Sequence, residues 1–507
     1  MNQHSKTNLF DLSKLNFAEF CCLMLLFFLV FLRFLYIFTF DTNLEGVEFA
    51  LIHFIQKINS TGTLYTNVEQ FPFLLVVHAP LYYFLMSGLA SLFRIDVLQD
   101  VHQLYILCRS FSFLLLFLDI YLLLRLVKSL APEFSYKIYL VLVFVLFLPG
   151  HFYSCRPDSL KVSLFFVFFY FLLKFHQQKK WKFQWIAIIT LVIATCTKQD
   201  VLVYGLCAYG IFFLIERKLS YLYAALIVLC LIFGLVLGYY LCSDINLFKV
   251  LFYYNLQYDS KVDFKIFLVS SYFIRVLPFL IFTFFNSRSN NLQTRIIAVI
   301  SLMFLLLCSI EMMRTGASVN YIYESVILFL LNGVLFVKEQ NTPLNELLFG
   351  RFQPLMFVYI LLHLLFINLS YYSLYFRIKD ELKFRNDYVQ NMKNARTMKE
   401  YIDTSVLFIP DMKYYIFYPD SKLIYGADWH YDRYCEIALD IRIKPKYINN
   451  PVVQKYDKQF ENGVVHYILI ENTARSLSLL KKYYTHFSFY KKVDNMLLYK
   501  FDENHDE

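Results

Sequence analysis

Residues 156–173 read RPDSLKVSLFFVFFYFLL, a charged triplet running straight into an apolar stretch. A bilayer core tolerates charge poorly, so charges at the end of such a stretch have a partner or a task. Asp158 would sit near the positive end of a helix, which suits an anion. Arg156 carries a planar fork of donors that grips phosphate bidentately. The plainer account is a local Arg–Asp pair with Asp158 as cap. Working outward, three more polar clusters stand at the edges of apolar runs: Asp41 with Glu45, Lys198-Gln199-Asp200, and Glu311 to Glu324.

The chain as a whole has the same character. Its 507 residues are 58% apolar and only 17% charged, and the mean hydropathy is +0.49. A soluble domain carries about 25% charge, so the composition indicates a mainly α, polytopic membrane protein. The net charge of +9 fits cytoplasmic loops better than a nucleic-acid partner. The ten cysteines include no CxxC pair, and neither a disulfide framework nor a zinc site is legible. The first apolar run follows Lys6 and Lys14, has no small-residue cleavage site, and reads as an uncleaved anchor.

A spanning helix needs roughly 20 apolar residues. The predicted spans are 17–40, 104–127, 136–152, 158–175, 183–197, 201–215, 219–241, 264–285, 293–310, 318–337 and 352–376. The basic loop KFHQQKKWK (174–182) should face the cytoplasm. Counting from it puts the loops at 125–137, 216–218, 287–295 and 338–351 inside as well, and the tail outside. Lys6 and Lys14 place the N-terminus inside, so Asp41 is outside, and span 104–127 must start outside to end at the basic loop 125–137. Residues 79–93 therefore should not cross; they read as an interfacial helix, with 45–59 as another, in a first outer loop of residues 41–103. The result is a bundle of about 11 transmembrane helices over residues 1–376.

Residues 377–507 change character and read as a small outer-face α/β domain, with strands at 405–409, 413–418, 464–470 and 496–501 and a helix at 475–484.

Several residues could carry chemistry. Asp41 and Glu45 are four apart, so on a continuing helical turn they share a face, and paired carboxylates can divide base and ligand roles. His78 precedes Pro80, which fits a first helical turn, and could donate to a phosphate. Lys198 and Gln199 lie in an outer turn between two short spans. Glu324 lies inside an apolar run at i+4 from Asn320, next to Tyr321, and must be paired or contact a polar substrate. Arg33 and Asp119 lie deeper in their spans, and a buried pair between those spans is the simplest account.

Taken in order, DTNLEG (41–46), GTLY (62–65), HAPLYY (78–83), Arg109 opening a span, RPDSL (156–160), TKQ (197–199) and GASVNYIYE (316–324) resemble the polytopic glycosyltransferases of the GT-C fold. The nearest look is the bacterial branch similar to protein O-mannosyltransferases and lipid A aminoarabinose transferases. The resemblance covers about residues 20–340. It implies a polyprenyl-phosphate sugar donor used at the outer face of the membrane, in a bacterial inner membrane, and a glycan, lipid or protein acceptor. It implies Asp41 or Glu45 as catalytic base, and His78, Arg156 and Lys198 on the donor phosphate. Asp158, Gln199, Asn320, Tyr321 and Glu324 would contact substrate. Some relatives bind a divalent metal, but no ligand set is legible here. The acids are four apart where many relatives have them adjacent, which leaves the base open between them. A transporter or flippase of lipid-linked glycans is the alternative; it predicts charges at mid-membrane and repeated halves.

Overall fold

The computed structural model describes residues 17–42, 48–66, 76, 78–134, 136–147, 154–243, 245–248, 250–251, 271–312, 323–339, 379–402, 406–409, 412–418, 422–423 and 458–502. Helix α1 (Phe17–Tyr36) leads to two short helices, α2 (Glu48–Thr61) and α3 (Leu81–Leu92). The bundle continues with α4 (Val101–Leu130), α5 (Lys137–Phe147), α6 (Pro157–Gln178), α7 (Trp181–Thr197), α8 (Val201–Glu216) and α9 (Leu219–Ser243). It is completed by α10 (Ser271–Asn286), α11 (Leu292–Met312) and α12 (Tyr323–Glu339). Every span predicted before residue 340 thus meets a helix, and the last, 352–376, lies outside the described residues. Among the described residues, five helices are long and apolar enough to cross a bilayer by themselves: α1, α4, α6, α9 and α11. The protein is integral to the membrane and multi-pass.

Local chemistry sets the helix ends. Arg156 is extended and Pro157 opens α6, where a missing N–H costs nothing. At the other end Lys179 takes a left-handed conformation (φ 55°), and its N–H closes the helix on the Phe175 carbonyl at 2.7 Å. Arg217 does the same after α8 (φ 59°). These two-residue turns make α6–α7 and α8–α9 tight antiparallel hairpins. Glu216 ties the two basic turns together, accepting from Lys179 and Lys218 at 2.8 Å each and from the Tyr221 hydroxyl at 2.7 Å. Across α10, α11 and α12, Asn286 donates to Asn332 at 3.1 Å and Asn332 to Ser301 at 2.7 Å. Such amide contacts glue helices where apolar burial gives no preference over lipid.

Arg33 and Asp119 are both buried, but they do not form the expected pair. Arg33 donates to the Val145 carbonyl on α5 at 2.6 Å, whereas Asp119 faces Ser163 on α6.

Helices α2 and α3 do not belong to the bundle core. At 1.5 Å per residue, twelve-residue α3 spans only about 18 Å, short of the roughly 30 Å hydrocarbon layer. Its buried residues Tyr82, Tyr83 and Met86 join Ile52, Ile55 and the top of α4 in a second core, which also takes in the tail.

The tail begins with a polar helix, α13 (Glu381–Lys399), that the sequence reading did not foresee. It then builds a sheet from β1 (Val406–Phe408), β2 (Lys422–Leu423), β3 (Tyr467–Glu471), β4 (Phe487–Val493) and β5 (Met496–Phe501), with α14 (Ala474–Tyr483) after β3. The order is β2-β1-β3-β5-β4. Strands β1, β2 and β3 are parallel, and β5 runs antiparallel to both β3 and β4. Strand alternation splits the residues between two faces. Leu407, Tyr467, Leu469 and Leu498 point into the core shared with α2 and α3. Phe408, Ile468, Ile470 and Leu497 point the other way, into a small cluster with Leu480 of α14. The expected strand at 413–418 is instead a 3₁₀ helix, Met412–Phe417. Tyr414 to Tyr418 are all buried, so no alternating polar face exists, and packing against α2 overrides aromatic strand preference.

Candidate active site

The polar clusters flanking residues 78, 158, 199 and 324 meet at one end of the bundle. Asp158, in the first turn of α6, accepts from Lys198 at 2.8 Å and lies 3.5 Å from the Arg156 guanidinium. Lys198 also lies 3.8 Å from Asp200. Asp200 pairs with Lys161 at 3.0 Å, and Lys161 reaches Glu324 of α12 at 2.9 Å. Nearby, Tyr204 donates to Glu311 at 2.7 Å. Gln199 instead donates to the Leu251 carbonyl at 3.3 Å.

His78 borders this network. The Tyr65 hydroxyl holds its carbonyl at 2.7 Å. Burial, reinforced by Lys198 and Arg156, pushes its pKa down to about 3 against the pull of Asp158 and Asp200. The ring is therefore neutral near pH 7, with one N–H to give and no charge to desolvate.

Lys161 and Asp200 were missing from the expected site. Lys161 had a signal: it is a cation inside an apolar run at i+3 from Asp158, so the two share a helix face. Asp200 had only its place in the Lys198-Gln199-Asp200 turn.

Asp41 lies elsewhere. It is half-buried and lines a cleft of about 680 Å³, together with one face of α13 and the β4–β5 turn. Arg109 fixes its backbone, donating to the carbonyls of Asp41 at 2.5 Å and Thr39 at 2.8 Å. The same guanidinium makes a wholly buried pair with Glu48 at 2.7 Å. Glu48 in turn accepts the Cys155 N–H at 2.6 Å, one residue before Arg156. Polar contacts thus run from the Asp41 backbone through Arg109 and Glu48 to the backbone just before Arg156. Glu48 was not foreseen; only its acidity in the first outer loop marked it. On the other side, Glu381 of α13 accepts the Phe40 N–H at 2.8 Å and bonds the Thr39 hydroxyl.

Glu45, Asn320 and Tyr321 lie outside the described residues. Among the described residues no group of three or more His, Cys, Asp or Glu is placed to hold a metal ion.

No family model matches the sequence, and no curated protein matches it. Solved structures do. ArnT from Cupriavidus metallidurans in its apo state aligns with a TM-score of 0.60 at 12% identity, over 95% of this chain and 98% of that one. The same protein bound to undecaprenyl phosphate aligns at 0.58 and 11%, over 95% and 97%. At such identity the likeness is one of fold, and it extends over nearly the whole of both chains. The bundle, the interfacial helices and the small C-terminal sheet together make this chain a polytopic membrane protein of the GT-C fold.

Proposed function

We propose that the protein is a membrane glycosyltransferase. It takes a sugar from a polyprenyl-phosphate donor and passes it to an envelope glycan, lipid or protein acceptor at the outer face of a bacterial inner membrane. The observation that carries this reading is the assembly of the buried cations Arg156, Lys161 and Lys198 beside the half-buried, neutral His78 at the head of a membrane bundle, on a fold of which one solved example is bound to undecaprenyl phosphate. A lipid phosphate would place its tail along the bundle and its anion among these cations.

Such an anion competes with the Asp158 carboxylate for Arg156 and Lys198. Donor binding would exchange a carboxylate for a phosphate ester, so the cations need not be gathered at that moment. In the reaction the acceptor hydroxyl oxygen attacks the anomeric carbon. Its proton passes to Asp41 as general base. The bond from the anomeric carbon to the phosphate oxygen breaks, and the electron pair leaves on lipid phosphate with inversion. Arg156, Lys198 and the neutral His78 N–H stabilise the charge that develops there. Closing the roof against water protects the activated sugar from hydrolysis.

Purified protein offered a panel of polyprenyl-phosphate sugars and envelope extracts tests this. Wild type should release lipid phosphate and label an acceptor. Asp41→Asn should bind donor but transfer on the order of 10²-fold more slowly, the scale of a lost general base. Full transfer by that variant would move the base to Glu45. No turnover by folded wild type would sink the enzyme reading.

A further inference from the structure

We propose that the cleft beside Asp41 is the acceptor site and takes a neutral or amino-bearing saccharide while turning away phosphorylated and uronic-acid glycans; this rests on the glycosyltransferase reading. The cleft's volume of about 680 Å³ lies within the range of small-ligand sites. Its longest wall is α13, where Phe384, Asp387, Tyr388 and Asn391 recur at three- and four-residue spacing and so share one face. That face alternates aromatic rings with a carboxylate and an amide. A pyranose presents C–H faces to rings and hydroxyls to carboxylates and amides, so it can use both kinds of group at once.

The far wall is the turn between β4 and β5. Asp494 sits there in a left-handed conformation (φ 49°), and its carboxylate bonds Gln390 of α13. Asn495 donates to Glu471 at 3.2 Å. The two walls are thus tied to each other, and Glu381 ties α13 to the segment that carries Asp41. The acceptor surface and the proposed base belong to one connected unit.

Charge supplies the specificity. Among the described lining residues the ionisable carboxylates are Asp41, Asp387, Glu471 and Asp494, and none is Lys, Arg or His. Arg385, on the same helix, is engaged over the Phe40 ring at 5.8 Å. A concave surface of one sign repels anions and concentrates cations, more strongly at low salt.

The test uses the full-length protein in nanodiscs and four probes: chitotetraose, its de-N-acetylated form, tetragalacturonate and bis-phosphorylated lipid A. Binding is followed by calorimetry and saturation-transfer NMR. The expected order is the amino form, then the neutral form, with both acidic probes at least tenfold weaker. Asp387→Asn should narrow the amino-to-uronate ratio at least threefold at low salt, and Tyr388→Ala should weaken the neutral probe at least tenfold. Equal or tighter binding of either acidic probe, no saccharide binding, or wild-type binding by both variants would overturn the proposal. Release of undecaprenyl phosphate from sugar donors by wild type is read separately. Release without saccharide binding overturns the cleft proposal and leaves the enzyme reading standing. Saccharide binding that follows the expected order without release overturns the enzyme reading and leaves a glycan-binding cleft.

Discussion

Lys161 shows what one residue contributes to the cationic cluster. Its ammonium is wholly buried and lies 3.0 Å from Asp200 and 2.9 Å from Glu324, so it joins α6, α12 and the turn before α8. Removing one member of a buried charge group strands the others, at a cost of about 3–5 kcal/mol. Lys161→Met should therefore lower the melting temperature of the purified protein markedly. The double variant Lys161→Met/Glu324→Gln should recover part of that loss, because it also removes a stranded carboxylate. Additive single effects, within roughly 0.5 kcal/mol, would mean the two residues are not coupled. His78 illustrates the opposite strategy. Its ring is neutral near pH 7, so it needs no counter-charge.

At the scale of elements, α2 is the piece that couples the membrane bundle to the C-terminal sheet. It carries Glu48, which receives Arg109, and Gln56, which donates to the carbonyls of Val97 at 2.9 Å and Ile416 at 3.2 Å. It also carries His53, buried against the Tyr415 ring at 5.5 Å between centroids. Burial first, and then Lys57, lowers the His53 pKa to about 3 from the ordinary histidine value of 6.5. The unfolded chain therefore binds the extra proton between pH 6.5 and 3, and stability falls as pH drops through that window. At pH 5 the loss is about 2 kcal/mol relative to pH 7.5. Thermal melts should show this slope, and His53→Gln should flatten it. An unchanged slope in the variant would remove His53 as its source. The 3₁₀ helix Met412–Phe417 is the partner surface, which explains why a segment with strand-like composition gave up strand geometry.

At the scale of the whole molecule, the boundary expected at residue 376 does not separate two cores. Leu407, Tyr467 and Leu498 of the sheet share one cluster with Ile52, Tyr82 and Leu104 of the membrane-proximal part. We propose that residues 48–108, which end in the first turns of α4, and the tail fold as one head on top of the bundle. A chain ending at residue 376 should insert its spans yet expose the 48–66 segment to proteases that leave the full-length protein intact. Equal protection in the two proteins would restore the picture of an independent outer domain.

Hydropathy is a local property, and it alone located the spans from α1 to α12. Short apolar runs likewise marked β1, β3 and β5, and the position of charges near span ends marked His78, Arg156, Asp158, Lys198 and Glu324. Helix α13 escaped because ELKFRNDYVQNMKNARTMK buries only Asn394, Ala395 and Met398 among its residues, leaving almost no apolar stripe to read. Partnership was beyond reach for a different reason. That Lys161 serves Glu324, that Glu48 serves Arg109, and that α13 faces Asp41 are contacts across tens to hundreds of residues. They are fixed by how helices pack and not by any spacing along the chain. The sequence determined which groups a membrane would force to find partners; only the tertiary structure decided which partners they found.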